Sequence, residues 1–177
     1  RNPQLGAIYA VLAHWKVTEE VGTIVMPTGT GKTETMLALL AKERPACLLV
    51  IVPTSALRKQ IAHKFLTFGI LQEFGVVDKS ASLPIVGKVK HKFETPADAR
   101  LFMQCCNVVV ATMAVIGQCS KDVQNAIASS CSHLFVDEAH HTPARTWNNF
   151  REIIRGYNKP TLQFTATPFR RDGKYVG

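Results

Sequence analysis

Two rhythms of apolar residues alternate along the chain. Short unbroken runs, at about 22–26, 47–52, 107–111, 133–136 and 161–164, are too brief for helices and read as buried strands. Between them apolar residues recur every three or four positions, as amphipathic helices require. Leu5, Ile8, Leu12 and Trp15 mark one such face behind Asn2 and Pro3, an N-cap and a first helical residue. A helix at about 32–43 is ended by Pro45, and Pro53-Thr54-Ser55 opens another with Leu57, Ile61, Phe65 and Phe68 inward. Thr95-Pro96-Ala97-Asp98 has the form of a capping box for a helix to about Cys105. Ser120 caps a helix at about 120–130. Thr142-Pro143 opens one with Trp147, Phe150 and Ile154 inward and Gly156 at its end. The least legible stretch is 69–93. Within it residues 85–93 alternate as a strand that puts Lys88, Lys90 and Lys92 on one face. Two readings of that stripe stay open, phosphate contacts or lysines that guard an edge strand against aggregation.

Strands separated by helices predict a mainly parallel α/β sheet with helices on both faces. In such sheets ligands gather at the carboxyl ends of the strands. Each of the five predicted strands ends in a polar segment: the glycine-rich loop after Val25, Pro53-Thr54-Ser55, Ala111-Thr112, Asp137-Glu138-Ala139-His140 and Thr165-Ala166-Thr167. These segments should share one rim.

The first of them, Met26-Pro27-Thr28-Gly29-Thr30-Gly31-Lys32-Thr33, carries the chemistry. It meets G-x-x-x-x-G-K-[ST] at every position but the first, where Met26 replaces glycine. Gly29 and Gly31 allow a tight turn that aims backbone N–H groups at an anion, and the following helix adds the positive end of its dipole. Lys32 is placed to reach β and γ phosphates and the Thr33 hydroxyl to hold Mg²⁺. Asp137, at a strand end, is the second half of such a site: it can hold Mg²⁺ through water while Glu138 orients and deprotonates a water. The alternative role, capping the helix at 143, is already filled by Thr142.

A chain of 177 residues suffices for one domain spanning 1–177, with 46% hydrophobic and 19% charged residues. The longest apolar runs fall far short of the ~20 residues that cross a bilayer, and no signal segment opens the chain, so an intracellular, reducing location without membrane contact is expected. Five cysteines, odd in number and without a Cys-x-x-Cys pair, argue against a disulfide framework or a zinc knuckle. The formal charge of +8 and pI near 9.4 favour a polyanionic partner. The first residue is Arg1 rather than Met, which suggests a piece of a longer polypeptide.

Taken in order, Pro27 to Thr33, Pro53-Thr54-x-x-Leu57-x-x-Gln60, Val110-Ala111-Thr112, Asp137-Glu138-Ala139-His140 and Thr165-Ala166-Thr167-Pro168 resemble motifs I, Ia, Ib, II and III of superfamily 2 helicases, within their first RecA-like domain. Phe164 to Gly173 is most similar to the type III restriction and excision-repair group of DNA translocases. The resemblance implies ATP and Mg²⁺ as cofactors and nucleic acid, more readily DNA than RNA, as partner. It also implies a second RecA-like domain, absent from this chain, that supplies arginines to the γ-phosphate. By position, Gln4 and Arg1 would read adenine; Pro27, Thr28, Gly29, Thr30, Gly31, Lys32 and Thr33 would bind the nucleotide. Thr33 and Asp137 would hold Mg²⁺, and Lys32, Asp137 and Glu138 would carry catalysis. Thr54, Ser55 and Thr112 would meet the nucleic-acid backbone, with helix capping as their plain alternative. His140, Thr165 and Thr167 would couple hydrolysis to movement.

Two other functions compete. A degenerate domain of this fold that grips nucleic acid or protein without turnover is opposed by the intact Lys32, Asp137 and Glu138. A GTPase would need Asn-Lys-x-Asp, but Asn158-Lys159-Pro160-Thr161 lacks the aspartate.

Overall fold

The computed structural model describes residues 2–138 and 144–166, with the side chains of 144 and 145 left aside. Its elements alternate as the hydrophobic rhythm requires: α1 (Asn2–Val17), β1 (Gly22–Val25), α2 (Lys32–Glu43), β2 (Leu48–Val52), α3 (Ser55–Thr67), α4 (Ile70–Glu73), β3 (Val86–Lys88), α5 (Pro96–Gln104), β4 (Val108–Thr112), α6 (Met113–Gly117), α7 (Lys121–Ser130), β5 (His133–Asp137), α8 (Ala144–Gly156) and β6 (Thr161–Thr165). The strands form one six-stranded sheet in the order β1-β6-β5-β2-β4-β3, and every pairing is parallel. Among the described residues no helix is long and apolar enough to cross a membrane.

The sheet is covered on both faces because its central strands are apolar at every position. All five residues of β2 and of β4 are buried. Successive side chains leave opposite faces, so Leu48, Val50 and Val52 join a core with Met36, Leu37, Ile61 and Phe65 beneath α1 to α4, while Leu49 and Ile51 join Met103, Ile127, Phe150 and Ile154 beneath α5 to α8. Truncating a core ring such as Phe150, which is fully buried, costs about 3–5 kcal/mol.

Local signals set the helix ends. Thr54, Thr95, Thr112 and Ser120 each accept a hydrogen bond from the N–H three residues on, and the Thr95 hydroxyl also donates to Asp98. Arg44, in the left-handed region at φ 48°, closes α2.

Four details depart from the pattern. Helix α1 already contains Asn2, so Asn2 is not its cap; Leu5 is half exposed and Val11 is the residue that α1 buries. The strand read over 85–93 pairs only over Val86–Lys88. Past it the Val89 N–H still donates to Val110, but the Val89 carbonyl accepts from the Arg58 guanidinium at 2.7 Å. Helices α4 and α6, of four and five residues, are too short for a periodic signal. The predicted Thr142-Pro143 cap lies outside the described residues, although Trp147, Phe150 and Ile154 are buried as the pattern of α8 requires.

Candidate nucleotide site and nucleic-acid rim

Because the strands run parallel, the segments after β1, β2, β4, β5 and β6 emerge on one rim. The glycine-rich loop follows β1 and is held by its own turn: the Thr30 N–H and hydroxyl both donate to the Pro27 carbonyl, at 3.2 and 2.6 Å. Gly29 and Gly31 sit at φ 79° and 97°, where a side chain would be strained, and Gly31 is the N-cap of α2. Gly31 has no side chain to cap the helix, so the first turn of α2 begins at Lys32 with its end open to an anion. Met26, the departure from the loop pattern, has a structural role. Its side chain is buried in the α1–α4 core, and its sulfur accepts the Thr35 hydroxyl at 3.6 Å.

The acidic pair arrives from the far side of β6. That strand lies between β1 and β5, and it holds both halves of the site through consecutive carbonyls: Met26 N–H donates to Thr165 and Glu138 N–H to Phe164. Glu138 sits at φ 50°, a left-handed conformation that turns its carboxylate toward the loop, where Oε1 accepts from the Lys32 ammonium in an ion pair. Asp137 is 7% exposed, and its Oδ1 has no hydrogen-bond partner among the described residues. Burial pushes the Asp137 carboxyl above the usual range, against the pull of the nearby Lys32 charge. Burial also lowers the Lys32 pKa, while Asp137 raises it. The site thus brings Lys32, Asp137 and Glu138 together.

Gln4 belongs to the same site although α1 is distant in sequence. Its amide lies so close to Gly31 that a Cβ there would fall 2.0 Å from Nε2. Beside it opens a largely apolar cleft of about 680 Å³, lined by Gln4, Leu5 and Ile8 of α1, by Gly29, Thr30 and Gly31, and by Ile70 and Phe74 at α4. Sequence reasoning missed the α4 wall, because it falls in the stretch where only the Ile70, Leu71, Phe74 spacing offered a signal.

Thr54, Ser55 and Thr112 follow β2 and β4 on the same rim. The Thr54 and Thr112 hydroxyls accept from Leu57 and Val115 at 3.2 and 3.4 Å as helix caps. Thr54 and Ser55 are exposed, whereas Thr112 is 5% exposed. Thr165, fully buried, takes part through its carbonyl as described. Arg1, His140 and Thr167 lie outside the described residues.

The residues fit a divalent metal. Mg²⁺ prefers oxygen donors and keeps most of its waters, so one hydroxyl and one carboxylate suffice. Asp137 supplies a buried carboxylate oxygen without a protein partner among the described residues, and Thr33 opens α2 with a half-buried side chain. No cluster of three His, Cys, Asp or Glu stands among the described residues, which leaves no protein cage for a zinc or calcium ion there.

Known proteins share this arrangement. The family described as type III restriction enzyme, res subunit, matches residues 1–170. The UvsW helicase from bacteriophage T4 superposes with a TM-score of 0.65 at 18% identity, covering 97% of this chain and 53% of that one. A hypothetical ATP-dependent RNA helicase from Sulfolobus tokodaii gives 0.62 at 22% identity, over 94% of this chain and 46% of its own. A nuclease-deletion mutant of the type ISP restriction-modification enzyme LlaGI, in complex with a DNA substrate mimic, gives 0.59 at 18%, over 99% and 18%. This chain therefore spans about half of the UvsW chain and less of the others. No curated protein sequence matches it. At these identities the superpositions establish the fold, a RecA-like α/β domain of the helicase type.

Proposed function

The chain belongs to the type III restriction enzyme, res subunit, family, and on that premise we propose that it is the ATP-binding half of an ATP-dependent helicase or translocase acting on nucleic acid, DNA rather than RNA. One observation carries the reading: Lys32 from the glycine-rich loop and the Asp137-Glu138 pair from β5 converge on one rim, with Lys32 paired to Glu138.

Each residue has a role in this reading. The N–H groups of the Gly29–Lys32 turn and the open end of α2 bind the phosphates. Lys32, held by Glu138, exchanges that carboxylate for the β and γ phosphates. Thr33 and Asp137 hold Mg²⁺, which neutralises charge on the phosphate oxygens when bound. Glu138, released, takes a proton from the water that attacks the γ-phosphorus while the bond to the β-phosphate oxygen breaks, giving ADP and phosphate. Gln4 and the apolar cleft receive the base. Thr54, Ser55 and Thr112 touch the nucleic-acid backbone, and Thr165 passes the change at the site onward. Residues 1–177 form a single domain, and a second RecA-like domain in the same longer polypeptide supplies arginines to the γ-phosphate. An arginine finger contributes about 10³–10⁵ in rate, so this domain alone should bind ATP·Mg²⁺ and turn it over slowly.

Calorimetric ATP·Mg²⁺ titrations with steady-state hydrolysis, with and without DNA, test the reading. Lys32→Ala should weaken ATP binding at least ~10-fold, as loss of a charged hydrogen bond of about 1.5–3 kcal/mol requires. Unchanged binding in that variant sinks the site assignment. Brisk DNA-stimulated turnover by residues 1–177 alone would refute the need for a second domain.

A further inference from the structure

The basic run Lys88-Val89-Lys90-His91-Lys92 admits two explanations from sequence, and the structure separates them. As guards of an edge strand, the lysines would have to lie within the paired strand. β3 is indeed the edge of the sheet, but pairing stops at Lys88. Lys90, His91 and Lys92 lie beyond it and are exposed. An edge-guarding role therefore accounts for Lys88 and not for the others.

Register shows where those residues stand. Lys88 is level with Val110, and the Val89 N–H continues the ladder to the Val110 carbonyl, so Lys90 comes level with Thr112 at the end of β4. Thr112 is in turn level with Val52, two residues before Thr54. The carboxyl ends of β2, β4 and β3 thus bring Thr54, Thr112 and Lys90 to successive positions along one rim. Arg58, in the first turns of α3, bonds the Val89 carbonyl and fixes this corner.

The charge there has one sign. Helix α3 carries Arg58, Lys59, His63 and Lys64 and no Asp or Glu, so its positive end is not neutralised from within. Around the corner, Lys88 and Lys90 have no ion pair among the described residues, and Lys92 has only an exposed contact with Glu94 at 3.3 Å. The one other nearby carboxylate, Asp98, is held by Thr95.

Resting on the function proposed above, we propose that Lys90, His91 and Lys92, with the Arg58 corner, form a phosphate-binding patch. It extends the nucleic-acid track from Thr54 and Thr112 to the outer edge of the sheet. It recognises the phosphodiester backbone, common to DNA and RNA, without reading bases.

Fluorescence anisotropy with labelled oligo-dT and oligo-U across a salt series tests this. Lys90→Ala with Lys92→Ala should weaken both probes roughly tenfold at low salt and reduce the slope of log K against log salt by ~1.4, about 0.7 for each phosphate released on single strands. A charge-matched control, Lys16→Ala with Lys42→Ala in the last turns of α1 and α2, at the other end of those helices, should leave both unchanged. ATP·Mg²⁺ affinity should be unaltered by either pair. Equal losses in both pairs, or an unchanged slope in the rim pair while the wild type binds, overturn the patch and leave the nucleotide reading intact. Stronger binding to phosphatidylserine vesicles than to either oligonucleotide also overturns it. A wild type that binds neither probe overturns the patch together with the nucleic-acid part of the proposed function.

Discussion

The two rims of the sheet are made from the same strands yet are built oppositely. At the amino rim polar groups are closed on one another. The Ser132 hydroxyl accepts from Cys47 N–H at 3.1 Å and donates to the Cys47 carbonyl at 2.9 Å. The Asn107 carbonyl accepts from Leu48 N–H, and its side-chain oxygen accepts from Ile85 N–H. Trp15 lies edge-on to His133 at 5.2 Å, and burial pushes the thiols of Cys47 and Cys131 up to about 11 and about 12, keeping both protonated. At the carboxyl rim the balance is reversed. Gly29, Gly31 and Glu138 hold positive φ, Lys32 is a charge drawn out of water, and Asp137 is a buried acid with a partnerless oxygen among the described residues. One rim stabilises the fold, and the other holds groups ready for a ligand at a cost in stability.

Substitutions can break this contrast. The largest effect belongs to Glu138→Gln, which keeps the shape and removes the base: DNA-stimulated turnover should fall about 10²–10⁴-fold while ATP stays bound. Turnover within a factor of two of wild type would remove Glu138 from catalysis. Next is Asp137→Asn, which should raise thermal stability by about 1–3 kcal/mol, the range for relieving an uncompensated buried polar group, and abolish the Mg²⁺-dependent part of ATP affinity. The sign follows from the raised carboxyl: the native state binds the proton more tightly than the unfolded chain. The wild type therefore loses stability as pH rises from 3.8 through the folded pKa, and its deficit against Asp137→Asn should vanish below about pH 4. A deficit constant from pH 3 to 8 in calorimetry would refute the account. The smallest effect is at the other rim. Ser132→Ala should destabilise by about 1–2 kcal/mol in urea unfolding, and ATP affinity should stay the same. A changed affinity would show that the rims are not separable.

The sequence made the parallel sheet legible because its central strands are apolar throughout, and it made Lys32, Asp137 and Glu138 legible because their chemistry requires fixed spacing at strand ends. What it did not disclose came from contacts between distant segments. The brevity of β3 depends on Arg58 reaching the Val89 carbonyl across 31 positions. The α4 wall of the cleft is set by packing of Leu71 into the core rather than by local pattern. Motif order pointed to Thr54 and Thr112, but their hydroxyls as caps emerge only from helices that begin directly after each strand. Tolerance of methionine at position 26 was equally hidden, since it rests on the sulfur contact with Thr35.

Strand β6 works as the central post of a double gate. The phosphate loop hangs from the Thr165 carbonyl and the acidic corner from that of Phe164, so the two leaves share adjacent hinges on a single backbone. Whatever pulls on the chain where it leaves that post at Ala166 draws on both leaves at once, and neither can swing without the other being loaded.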